Sequence, residues 1–212
     1  MKRLSIIVLA GIAASVSAQV GTTGVFAGAL GESFEGFDTY GEGGFHYEPE
    51  PISIMGGAAT LETDQNVLAI WENSWDTFGL GTAGDAIAAD GVQGAGVDAS
   101  DDSMTFTFSG GGVTAFGGYW GGATSFGDPL PLDVTVTLAD SSVHTFVFSY
   151  ESSNGGNLIW QGWSTSGAGI TVVEVAGAYV VADDLRANPV PEPASMSVLG
   201  LGAAALVRRR RR

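Results

Sequence analysis

The sequence predicts a single all-β domain, an antiparallel β-sandwich of jelly-roll kind, set between two short targeting segments. Three observations predict it. In the second half of the chain apolar and polar residues alternate with a period of two, as in Ser103-Met104-Thr105-Phe106-Thr107-Phe108-Ser109, which puts Met104, Phe106 and Phe108 on one face of a half-buried strand. Runs of this kind recur at short, regular spacing and are separated by turn residues. Glycine makes up 33 of the 212 residues and windows of strong helix formers are scarce, so the composition favours strands and turns.

Taken in order, Met1-Lys2-Arg3, the apolar run 4–14 and Val16-Ser17-Ala18 have the order of a secretory signal peptide. Val16 and Ala18 are the small residues that signal peptidase reads, and cleavage is expected after Ala18. The domain expected over residues 19–189 opens with a glycine-rich stretch, 21–31, and Phe34-Glu35-Gly36-Phe37-Asp38 begins the first patterned segment. Residues 41–51 read as a loop carrying Glu42, Glu48 and Glu50, and 52–59 and 67–71 read as short strands. Residues 86–97 are small and glycine-broken, and no pattern there requires an element. Beyond the alternating run 103–109, residues 113–120 read as a strand bulged at Gly117-Gly118. Leu132, Val134, Val136 and Leu138 alternate with polar residues, and 143–150 follows after Asp140-Ser141-Ser142, so the two predict a hairpin. Residues 158–163, 170–175 and 178–185 continue the pattern up to the tail.

The tail, residues 190–212, has three parts. Pro191-Glu192-Pro193 is stiff and extended, because each proline fixes its own φ and keeps the residue before it out of the helical region. Residues 194–207 are apolar or small, and Arg208, Arg209, Arg210, Arg211 and Arg212 close the chain. A stiff break, an apolar helix and a basic block form a membrane-engaging segment whose positive end stays cytoplasmic. Fourteen residues make about 21 Å of helix against a hydrocarbon core of about 30 Å, which is short for a permanent anchor. Val190-Pro191-Glu192-Pro193, the apolar run with Gly200 and Gly202, and the terminal arginines together resemble the PEP-CTERM sorting signal, the tail recognised by exosortase. The resemblance implies export, transient retention in the inner membrane, processing near Pro-Glu-Pro by an exosortase-type enzyme, and delivery to the outer surface or extracellular matrix of a Gram-negative-type bacterium.

A second resemblance covers residues 103–186. Val113-Thr114-Ala115-Phe116-Gly117, Gln161-Gly162-Trp163-Ser164, Ile170-Thr171 and Val181-Ala182-Asp183-Asp184-Leu185 are similar to a β-sandwich ectodomain common among PEP-CTERM proteins. It implies a fold and transfers no catalytic residue.

Charge is distributed unevenly. Seven of the 8 Lys and Arg lie in the two targeting segments, while 22 of the 23 acids lie between Glu32 and Asp184. The body therefore sets one cation, Arg186, against 22 carboxylates, a net charge of −21. Such a surface repels nucleic acid and anionic lipid and attracts divalent cations or basic partners, and self-repulsion also keeps an exported protein soluble. Cysteine is absent, so export to an oxidising space is not met by disulfides.

Few residues assemble into chemistry. Gly79-Leu80-Gly81-Thr82-Ala83-Gly84 has the spacing of a dinucleotide-binding loop, but no βαβ pattern surrounds it and it reads as a turn. His46 lies in an acidic loop. His144 reads as a partly covered edge position on a strand whose other face would be Phe146, Phe148 and Tyr150. Neither histidine has a paired spacing, and no G-x-S-x-G elbow is present. If the first and last strands meet, Glu32, Glu35 and Asp38 would approach Asp183 and Asp184, and hard oxygen ligands gathered so would suit Ca²⁺, with simple solvation as the other reading. Residues 98–102, with Asp98, Asp101 and Asp102, form a second place for such an ion. Of the tryptophans, Trp160 and Trp163 are three apart, so in a regular strand they face opposite sides and one is open to stack on a sugar ring, unless Gly162 bulges the strand. The expectation is a non-catalytic structural or adhesive protein of the outer surface or matrix. The alternatives are a carbohydrate-binding module with an extracellular polysaccharide as partner, and a polysaccharide-acting hydrolase built on paired carboxylates.

Overall fold

The computed structural model describes residues 19–24, 26, 33–38, 40, 46–72, 93–97, 99–122, 130–149 and 158–189. The strands in the first part of the chain are β1 Val20–Thr23, β2 Ser33–Glu35, β3 His46–Tyr47, β4 Ile52–Ile54, β5 Ala59–Thr63, β6 Leu68–Glu72 and β7 Gln93–Val97. In the second part come β8 Asp102–Phe108, β9 Val113–Gly121, β10 Pro131–Leu138, β11 Val143–Ser149, β12 Ile159–Thr165, β13 Ile170–Gly177 and β14 Val181–Pro189. Every pairing is antiparallel, and the described residues contain no α-helix, only a 3₁₀ turn at Met55–Gly57.

Pairing arranges the strands in two layers. One runs β3-β6-β7-β14-β9-β12-β1, with β2 following β7 along the same edge of β14. The other runs β4-β5-β8-β13-β10-β11. Among the described residues a single bridge, Ile170 to Val113, joins them. Side chains fill the space between. Phe106 of β8 meets Phe116 and Trp120 of β9 with ring centroids 5.0 and 5.6 Å apart, and Trp163 of β12 lies 6.5 and 6.1 Å from the same two rings. Phe106, Phe116, Trp120 and Trp163 are all fully buried. This is the β-sandwich the alternating runs predict, and each buried large side chain contributes roughly 1.5–3 kcal/mol.

Four local expectations are corrected. Residues 52–59 are not one strand, because the chain reverses at Met55–Gly57, where Met55 and Gly56 take positive φ, so that β4 pairs with β5. Residues 93–97 do form a strand, and all five are buried. A Cβ on Gly94 would stand 2.4 Å from the Trp71 ring, so the glycine that hides the strand from a hydrophobicity pattern is what lets β7 lie against β6. The bulge lies in β14 instead of at Gly117-Gly118. The β12 register runs unbroken past both glycines, whereas Asp183 faces Tyr119 and Arg186 faces Gly117, leaving an extra residue where Asp184 has φ 47°. The last strand also starts later than expected, at Val181, and runs on to Pro189.

Candidate functional site

The two targeting segments lie outside the described residues, and with them Val16, Ala18, Val190, Pro191, Glu192, Pro193 and Arg208, Arg209, Arg210, Arg211 and Arg212. So do Glu32, Trp75, the glycine turn 79–84, Asp98 and Tyr150. Of His46 only the backbone, in β3, is described.

The sequence places acids at both ends of the domain, and β2 does pair with β14, with Glu35 opposite Leu185. Directly opposed residues share a face, and Leu185 points into the core. Glu35 follows it, and its carboxylate accepts the N–H groups of Phe37 (3.1 Å) and Met55 (3.0 Å). Asp38 accepts the Gln93 N–H at 3.0 Å, which ties the segment after β2 to β7. Asp184 instead follows Arg186, whose Nε and Nη2 donate to its two oxygens at 2.9 Å each. Asp183 is fully buried. Strand pairing thus directs the Glu35 and Asp184 carboxylates to different donors on opposite faces. Among the described residues, no group of three or more acidic or histidine side chains is placed to hold a metal.

Trp160 and Trp163 do face opposite sides of β12, whose register is unbroken at Gly162. Trp163 is in the core, 1% exposed, where it cannot reach a sugar. Trp160 is half-buried on the outer face. Its Nε1 donates to the Thr23 carbonyl (3.0 Å), Phe26 and Tyr119 stand edge-on to it, and the Arg186 guanidinium carbon lies 6.0 Å from its ring centroid. Arg186 Nη1 also donates to the Phe26 carbonyl at 3.2 Å. The sole cation of the body therefore joins the segment after β1 to the last strand. Sequence shows that Arg186 is singular, but its partners lie 2 and 160 residues away and carry no common pattern.

The feature that sequence reasoning missed is the outer edge of β11. It pairs with β10 over seven consecutive residue pairs without a bulge, and among the described residues it has no strand on its other side. His144, Phe146 and Phe148 share the inward, half-buried face, so parity corrects the expectation that His144 opposes the two phenylalanines. Val143, Thr145, Val147 and Ser149 face outward, with Val143 57% and Val147 70% exposed. Beside Val147 a shallow, mostly apolar hollow of about 250 Å³ is lined by Val134, Thr135, Thr145 and Phe146, with the Asp133 carboxylate of β10, opposite Val147, at its rim. The available signal was a seven-residue strand with no charged residue on either face, in a body carrying 22 acids.

Two antiparallel layers around one aromatic core, with no α-helix among the described residues, define an all-β sandwich of jelly-roll kind. The sequence profile of the PEP-CTERM protein-sorting motif matches residues 189–212. The chain is thus an exosortase substrate, exported, held at the membrane through its C-terminal signal and sorted to the cell surface. No curated protein matches the chain. Among solved structures, the K2 cleaved adhesin domain of Lys-gingipain superposes with a TM-score of 0.44 and 13% identity, over 76% of this chain and 99% of that one.

Proposed function

We propose that the surface-sorted sandwich has a non-catalytic structural or adhesive role in the extracellular matrix, exercised by joining copies of itself through the edge of β11. The observation that carries this reading is that edge. Natural edge strands are usually blunted by charge, proline or a bulge, and Val143–Ser149 has none of these while exposing two valines. Its occupant is the β11 strand of a second copy. A body at −21 repels itself over most of its surface, but two β11 strands laid antiparallel bring only uncharged residues together. Three of the four described tryptophans, Trp71, Trp120 and Trp163, are buried, and Trp160 is half covered, so the aromatic surface serves the core more than a sugar platform.

Light scattering on the processed protein at low and high salt tests this. Association should strengthen with ionic strength, since salt screens the repulsion and leaves backbone pairing intact, and Val147→Lys should abolish it. A monomer at every salt and protein concentration would overturn the self-pairing. Retention on a polysaccharide resin that Trp160→Ala removes would favour the carbohydrate-binding alternative, and product release from a polysaccharide would favour the hydrolase.

A further inference from the structure

A second site lies in the same layer as β11 but several strands away, where the turn after β5 meets the start of β8. Asp102, the first residue of β8, is 5% exposed. Its Oδ1 accepts the N–H groups of Ser103 (2.7 Å), Asp64 (2.9 Å) and Gln65 (3.3 Å). Its Oδ2 is equally buried and has no hydrogen-bond donor among the described residues. An ionised oxygen in that position is costly, and burial pushes the Asp102 carboxyl above its ordinary range, against the lowering effect of the three N–H groups. Asp102 lines a cleft of about 450 Å³ together with Asp64, Asp101, Ser103 and Glu174. An adjoining polar cleft adds Glu62, and neither cleft has a Lys or Arg among its described lining residues.

We propose that this cleft binds a hydrated divalent cation of the calcium class, with Asp102 Oδ2 as its buried ligand. Calcium takes six to eight oxygens in irregular geometry, mixing carboxylates, carbonyls, hydroxyls and water, which suits one fixed carboxylate beneath a rim of mobile ones. No three acidic groups yet stand at metal-bonding distance of one point among the described residues. The exposed side chains of Asp64 and Asp101 therefore rotate inward to complete the shell, and the Asp64 backbone, bonded to Oδ1, is already in place. An ion here relieves both the unmatched Oδ2 and the mutual repulsion of the rim acids, in a chain with no disulfide. This proposal is independent of the β11 edge.

Isothermal titration of the processed protein with CaCl₂, and separately with MgCl₂, tests it. The expected result is saturable 1:1 calcium binding with Kd about 10⁻⁴–10⁻³ M, the range of extracellular modules, and weaker binding of magnesium, which demands a regular octahedron. Asp102→Asn should remove the binding. Because that change touches a buried group, the rim double variant Asp64→Asn/Asp101→Asn is the companion, expected to weaken calcium at least tenfold while leaving the fold intact by circular dichroism. Asp184→Asn, at the β2–β14 edge, should leave the affinity unchanged. Absence of saturable heat, binding that survives both cleft variants, or binding lost in Asp184→Asn would overturn the assignment.

Discussion

The strands before residue 98 and those after it are built differently. The first seven are two to five residues long, the last seven are seven to nine. In the later group, ladder hydrogen bonds and the ring cluster around Phe116 hold the sheet, and long strands pair most of the backbone with backbone. The earlier group leaves many N–H groups without a strand partner, and carboxylates take them up. Glu35 holds Phe37 and Met55, Asp38 holds Gln93, and Glu50 holds Leu68 together with the N–H and hydroxyl of Thr63. The lesson is that part of the acidic excess, which reads as solubility, is structural: a buried backbone donor must be matched, and in a body with one cation the available acceptors are acids.

If that contrast is right, the largest loss should come from the later half. Phe116→Ala removes the ring that contacts Phe106, Phe108, Trp120 and Trp163, and should cost about 3–5 kcal/mol in urea unfolding, a large fraction of the stability of a typical domain. A loss no greater than that of an exposed substitution would break the comparison. Next comes Glu50→Ala, which strands three donors bridging β5 and β6 and should cost about 1–3 kcal/mol. Hydrogen exchange should show that loss concentrated in β3 to β6, with β9, β13 and β14 still protected. Uniform acceleration throughout would mean the two halves unfold as one unit.

The smallest effect sharpens the picture of the earlier half. Burial, aided by the Glu35 and Glu48 carboxylates, pushes the Tyr40 hydroxyl up to about 12, and it donates to the Ser53 carbonyl at 2.8 Å. A raised acid contributes stability that is complete below its ordinary pKa near 10 and is lost as pH rises toward about 12. Ultraviolet titration should therefore show one tyrosine ionising late, and Tyr40→Phe should remove that phase at a cost of about 0.5–1.5 kcal/mol at neutral pH. A tyrosinate curve unchanged by Tyr40→Phe would show that the packing around Glu35 is looser than described.

What the sequence determined by itself was whatever is written locally. Period-two alternation located β8, the β10–β11 hairpin and β13 within a residue or two, because a strand's two faces are set by neighbouring positions alone. The sorting signal was legible for the same reason, since its proline break, apolar run and arginines are contiguous. Only the tertiary structure decided which strands share a layer, that β7 exists, that the extra residue sits in β14, and what each acid binds. Those outcomes rest on partners far apart in the chain: Asp102 meets Asp64 38 positions away, Asp38 meets Gln93 55 away, and Gly94 is a strand residue because the Trp71 ring lies over it. The exposed edge of β11 and the buried face of Trp163 were decided in the same way, since a strand's own residues state its pattern and only its neighbours in the sheet state what that pattern faces.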